Sequence, residues 1–263
     1  MVNLLPGTSI RAVRAALRPP NRKRGKGSKK PTLFRLLIKR LWQTAFILLL
    51  FLVGTIVMLR FIDPPLWSVR VQRAMSPPTS YPETIKHQWC DLDEIPLALQ
   101  LAVVASEDQN FPNHSGIDLG AIEKALTEAE QGAGLRGAST ITQQTVKNLF
   151  LWQGKNWSRK ALEGALSLLV ELLWDKQRIL EVYLNIAEYG PGVYGVCAGS
   201  EYWYGSPVSH LSRNQAARLV AVLPNPWRYR AQPPTPYISE RARWIEQQMD
   251  MLGRDWLRSV HDR

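Results

Sequence analysis

The chain is 263 residues long with a formal net charge of +11, yet residues 1–40 hold 12 Lys/Arg and no acid, leaving 21 Lys/Arg against 22 Asp/Glu elsewhere. Basicity confined to a tail excludes a uniformly basic nucleic-acid-binding body. A hydrophobic content of 45% with 10 Trp excludes a wholly disordered chain, and two cysteines exclude a disulfide-dense scaffold or a four-thiolate zinc site.

After the basic tail (1–40), Leu41–Leu59 runs 19 residues without a charge, bracketed by Arg40 and Arg60. A helix of that length spans ~28 Å, close to a bilayer's hydrocarbon core of roughly 30 Å. Leu59-Arg60-Phe61-Ile62-Asp63 offers no small-residue cleavage site, so the run reads as a membrane anchor over 41–60 rather than a removable signal. The positive-inside rule places the tail in the cytoplasm and exports the rest. A basic tail beside a membrane is attracted to anionic lipid, so no nucleic-acid partner is expected.

Residues 61–95 read as a connector, with Pro64-Pro65 and Pro77-Pro78 and little periodicity. Residues 96–263 read as one helical domain. Helices are expected from Pro96 to near Asn110, from Asp118 to about Gln131, and from Ser139 to Leu151. Ser158 is placed as a cap before Leu162–Trp174, a stretch apolar nearly all round and so expected at the centre. Asp175–Tyr189 follows, then a capping box at Ser212–Gln215, then a last helix over Ser239–Arg258. No strand alternation is sustained, although a short hairpin near the connector has room. Cys90 and Cys197 both lie on the exported side, where a disulfide is permitted. Two separate buried thiols is the simpler reading.

Four segments carry polar residues that a core does not request. In the first, Glu107 sits where an apolar helix breaks into a loop, a place for a partly desolvated base. Asp108, Phe111 and His114 follow it. Taken alone, the segment is better explained by a plain helix end with solvated acids and a capping loop. In the second, Thr140, Gln143, Gln144 and Lys147 share one helix face behind Ser139. Amides, a hydroxyl and one cation suit sugars and phosphate oxygens better than the usual Glu/Lys mixture does. In the third, Arg159 and Lys160 lie one turn before Glu163. An exposed local ion pair contributes only about 0.3–0.5 kcal/mol, whereas buried cations beside an anion suit a diphosphate. The fourth, Ile179–Val196, joins a helix bearing Tyr183 and Asn185 to glycines 190, 192 and 195. An ordinary helix and turn account for most of it. No Gly-x-Ser-x-Gly elbow, His-Glu-x-x-His helix or Cys-x-x-Cys pair is present.

These segments match, in order, Glu107-Asp108-x-x-Phe111-x-x-His114-x-Gly116, Gly137-Ala138-Ser139-Thr140-Ile141-Thr142-Gln143-Gln144-x-x-Lys147-Asn148, Arg159-Lys160-x-x-Glu163 and Tyr183-Leu184-Asn185. So arranged, the sequence closely resembles the peptidoglycan glycosyltransferases of family 51, the transglycosylase module also found in class A penicillin-binding proteins. The resemblance covers about residues 85–230, and the short remainder leads us to expect the monofunctional form. It implies a mainly α, lysozyme-like domain behind a single N-terminal transmembrane helix, in a bacterial inner membrane with the catalytic domain periplasmic. It further implies polymerisation of lipid II into glycan strands, with inversion at MurNAc C1 and undecaprenyl diphosphate as leaving group.

Carried over residue by residue, the resemblance makes Glu107 the general base and sets Lys147, Arg159 and Lys160 against the diphosphate, with Lys155 assisting. Glu163, the second catalytic residue, supports that site directly or through Mg2+ or Mn2+, which it would then ligate; no organic cofactor is implied. Ser139, Thr140, Gln143, Gln144 and Asn148 line the donor site, and Asp108, Phe111, His114, Tyr183 and Asn185 complete the substrate-binding set. The implied partners are lipid II, the growing glycan, membrane lipid and wall-synthesis or division proteins. One departure is visible: Cys197 stands where the family usually has Glu. Two other functions compete, a wall-cleaving lysozyme-like hydrolase and a non-catalytic membrane protein that recruits wall-synthesis partners. The hydrolase has no use for the Lys147/Arg159/Lys160 set, and the recruiter has no use for Glu107.

Overall fold

The computed structural model describes residues 33–79, 81–132, 137–154 and 156–261. Most of the basic tail (1–32) and Lys155 lie outside the described residues. The chain divides into two units, 1–50 and 51–263. Helix α1, Leu33–Leu59, is shared between them. It is long and apolar enough to cross a membrane, so the expected 41–60 span lies inside a longer helix. Its residues up to Leu50 are exposed.

The connector is more ordered than its sequence promised. It holds helix α2 (Ser68–Met75) and the two-residue strand β1 (Lys86–His87). Trp67, almost fully buried ahead of α2, packs edge-on against His87 and Tyr194. A single buried indole supplies the apolar area that periodicity did not show.

The domain is helical. α3 (Leu97–Glu107) buries Leu99 to Ala105 without interruption. α4 (Leu119–Glu130) is capped by Asp118, which accepts from the Ala121 N–H at 3.0 Å. α5 (Ile141–Phe150) is capped by Thr140 rather than Ser139, through a reciprocal box with Gln143. α6 (Trp157–Leu173) is capped by Asn156, not by the expected Ser158. Asn156 accepts from the Arg159 N–H at 2.8 Å and so claims the N-cap. α7 (Lys176–Ile186), capped by Asp175, ends three residues before the expected Tyr189.

The chain then forms β2 (Glu188–Gly190) and β3 (Val193–Tyr194), an antiparallel hairpin with β1 parallel to β3 on its other edge. Gly192, at φ +69°, turns this hairpin so closely over Pro82 that a Cβ would stand 2.5 Å from its ring. α8 (Val196–Tyr204), where the sequence suggested only a glycine loop, is followed by α9 (Arg213–Ala221) and α10 (Pro236–Leu252). The Ser212–Gln215 box forms as expected. α10 starts at Thr235-Pro236 and stops at Gly253, whose φ of +76° ends the helix short of Arg258.

α5 packs on α6 and α7, and α3 packs on α9 and α10. The central helix is α7, with nine of its eleven residues buried, and not α6 as its composition suggested. α6 buries Glu163, Leu166, Ser167 and Val170 and exposes Trp157, Leu168 and Leu172. The two cysteines are joined: Cys90 and Cys197 form a disulfide with Cα atoms 6.4 Å apart. This corrects the reading of two separate thiols. The cause is tertiary, since Asn185 on α7 holds the Cys90 backbone at both its N–H and C=O, at 2.9 and 2.8 Å.

Candidate active site

Glu107 is the last residue of α3 and is half-buried. Its Oε2 accepts from the Gln144 amide at 3.0 Å and its Oε1 from the Ser106 hydroxyl at 3.1 Å. The Gln144 carbonyl in turn accepts from the Tyr183 hydroxyl at 3.2 Å. A chain from α7 through α5 thus aims the carboxylate. Burial, with Glu107 nearby, holds the Tyr183 phenol well above its usual pKa, so it remains a donor. Glu107 lines a cavity of about 440 Å³ with Asn110, Asp118, Lys124, Ser139 and Thr140.

Asp108 points the other way in function. It is buried, accepts from His114 Nε2 at 2.8 Å, and accepts from the Ile141 N–H at 2.9 Å. His114 Nδ1 accepts from the Gly116 N–H at 3.1 Å, which sets the tautomer with Nε2 as donor. The Thr140 hydroxyl donates to the Gly116 carbonyl at 2.6 Å. Asp108, His114, Thr140 and Gln143 therefore brace the end of α3 against the start of α5. Phe111 is wholly buried beneath the Lys176 ammonium, 4.4 Å from its ring centroid. Asn185 is wholly buried against Cys90 and the Glu181 carbonyl. The sequence placed Phe111, His114, Gln143 and Asn185 among substrate ligands. His114, Gln143 and Asn185 have internal hydrogen-bond partners, and Phe111 is wholly buried.

The cationic side lies where α5 meets α6. Glu163 is almost fully buried and pairs with both Arg159, at 2.7 Å, and Lys160. Lys160 also donates to Ser139 at 3.1 Å, which brings this cluster to the cavity beside Glu107. Arg159 donates through Nε to the Gly154 carbonyl at 2.8 Å. Burial lowers the pKa of Lys147; the Glu163 carboxylate opposes the shift, Arg159 and Lys160 reinforce it, and Glu107 opposes it. Lys147 is thus electrostatically coupled to both the Glu107 and the Glu163 groups. Lys147 and Asn148 line a second cavity, of about 300 Å³, with Gln144 and Tyr183.

Glu163 was expected as a catalytic residue or metal ligand. Both of its oxygens pair with cations, Oε2 with Arg159 and Oε1 with Lys160, so it positions those two side chains. Among the described residues no group of three His, Cys, Asp or Glu side chains is arranged to hold a metal.

A family profile described as Transglycosylase matches residues 76–250. A biosynthetic peptidoglycan transglycosylase of Aeromonas hydrophila is 47% identical over 232 residues, covering 88% of this chain and 98% of that one. Proteins of the same name from Shewanella oneidensis (48%, covering 84% and 95%) and Pseudomonas aeruginosa (46%, covering 85% and 97%) are similarly close. The chain belongs to the transglycosylase family. It is a peptidoglycan glycosyltransferase of cell wall biosynthesis on a mainly helical, lysozyme-like domain, with an N-terminal helix suited to a membrane anchor.

Proposed function

We propose that the chain polymerises lipid II into glycan strands, with Glu107 as the general base and undecaprenyl diphosphate as the leaving group. The observation that carries this is the pairing of one aimed, half-buried carboxylate with a cationic cluster reached through Ser139. Glu107 takes the proton of the acceptor's GlcNAc 4-hydroxyl. That oxygen attacks C1 of the donor MurNAc, and the bond from C1 to the diphosphate oxygen breaks on the opposite face, inverting the centre. Lys160, Arg159 and Lys147 balance the charge that collects on the departing diphosphate. A diphosphate so compensated leaves without protonation, so one base suffices. A glycosidase needs a second carboxyl group as acid, and Glu163 is engaged elsewhere. No step is routed through a divalent cation.

Ser139, Thr140, Gln144 and Asn148 border the donor, and Lys155 assists with the diphosphate. The basic tail lies on the cytoplasmic side of the inner membrane and the domain in the periplasm, where wall-synthesis and division proteins are its expected partners. The experiment is polymerisation of labelled lipid II by the detergent-solubilised protein, with Glu107→Gln alongside. Glycan ladders are expected from the wild type and a loss of about 10²–10⁴-fold from the variant. Equal ladders from both would remove Glu107 from its role.

A further inference from the structure

The connector helix α2 delivers one side chain to the second cavity. Ser68 and Gln72 both donate to the Leu151 carbonyl, at 2.8 and 3.0 Å, and Gln72 accepts from the Gln153 N–H at 2.7 Å. α2 is thereby fastened to the end of α5, the helix that carries Gln144 and Lys147. From that footing Arg73 reaches the cavity wall, with its guanidinium 5.1 Å above the Trp227 ring. Tyr81 stacks on Trp227 at 5.6 Å.

Arg73 is mostly buried, and its Nε–H has no acceptor. Its nearest carboxylate is Glu188 Oε2, at 3.7 Å from Nη2, beyond hydrogen-bond range. The other Glu188 oxygen accepts from the Trp227 indole at 3.1 Å and the Gly192 N–H at 3.0 Å. Arg73 Nη2 and Glu188 Oε2 thus form a loose ion pair across the cavity, too long for a direct hydrogen bond, beside an Nε–H that has no acceptor. A buried N–H without an acceptor is costly, and so is an ion pair that lacks direct hydrogen bonds.

A hydroxyl fits this gap because it accepts from Arg73 while donating to Glu188. A phosphate or carboxylate would accept from Arg73 but meet Glu188 as a like charge. The pair's chemistry thus differs from the cationic Lys160/Arg159 side and favours a neutral, hydroxyl-bearing ring. The cavity is continuous with Gln144 and Tyr183, which aim Glu107. We propose that Arg73 and Glu188 form a saccharide-binding pair, in which a sugar hydroxyl of the glycan bridges Arg73 Nη2 and Glu188 Oε2. The inference rests on the glycan-polymerising reading above and adds a residue from outside the four motif segments.

The test is binding of a lipid-free GlcNAc-MurNAc tetrasaccharide to the full-length solubilised protein, by calorimetry, for wild type, Arg73→Lys and Glu188→Gln. Arg73→Lys keeps the cation over Trp227 but loses the fork, so folding is preserved, and the melting temperature verifies it. Wild type is expected to bind. Arg73→Lys and Glu188→Gln are each expected to weaken binding about tenfold, a change worth roughly 1.4 kcal/mol. Their affinity for inorganic diphosphate should not change. Wild-type binding that neither variant weakens, or no wild-type binding, overturns the proposal. A protein that binds the tetrasaccharide through Arg73 yet makes no ladders from lipid II would keep the pair and sink the polymerase instead.

Discussion

Helices α6 and α7 are consecutive, and their compositions point opposite ways from their positions. α6 is rich in leucine and exposes Leu168 and Leu172, the latter 79% accessible. α7 contains Lys176, Arg178, Glu181 and Asn185, yet it occupies the core. The difference lies in internal partners. Arg178 donates to the Leu59 and Ile62 carbonyls at 3.1 and 2.9 Å and pairs with Asp63 and Glu181. Lys176 pairs with Glu171 at 2.7 Å, and Asn185 holds Cys90. A polar group is tolerated inside when its hydrogen bonds are complete, and a leucine needs burial only when water is the alternative. Apolarity alone therefore does not identify a core helix.

Four measurements would break or sharpen this contrast. The largest effect is expected from Leu180→Ala on α7, which should cost about 2–5 kcal/mol in denaturant unfolding of the solubilised protein. A loss under 1 kcal/mol would mean that α7 is not the structural centre. Next, the double substitution Cys90→Ser and Cys197→Ser should cost about 2–4 kcal/mol, because it frees the connector that Asn185 grips. Reduction of the wild type should lower its melting temperature to the same point, and insensitivity to reductant would refute the crosslink.

A third test concerns the one buried carboxylate of α6. Lys147, opposite Glu163, has its pKa lowered chiefly by burial. As pH rises through that lowered value, the ammonium discharges and its hold on a diphosphate goes with it. The alkaline limb of the polymerisation profile should therefore lie below that of an ordinary lysine. Lys147→Arg keeps its charge and should move the limb to higher pH. In stability the sign is opposite: the folded chain binds fewer protons than the unfolded between the lowered and the ordinary lysine pKa, so stability rises with pH across that window. A limb unmoved by Lys147→Arg would assign the titration to another group. The smallest effect is expected from Leu172→Ser on α6, under about 0.5 kcal/mol in detergent. A loss near that of Leu180→Ala would show that α6 is packed after all.

The frame of the site shows how far sequence reading reached. Glu107, Arg159 and Lys160 came into view through the ordered set of family motifs, because a plain helix end or a local ion pair explains each of them taken alone. Asp108, His114, Thr140 and Gln143 stand in the same motif segments, yet their side chains turn inward to brace. Spacing puts them in the neighbourhood and does not say which way they face. Arg73 was missed because α2 is short and its anchors, Gln72 to Leu151 and Gln153, span about eighty residues of sequence.

By itself the sequence determined the anchor, the helical class, the order of most helices and the family chemistry, because each rests on local periodicity, capping residues or an ordered set of motifs. Only the tertiary structure decided that α7 rather than α6 is central, that Cys90 meets Cys197, and that Arg73 faces Glu188. Those outcomes depend on which distant groups can satisfy one another's hydrogen bonds and charges, and such pairing leaves no periodic trace along the chain.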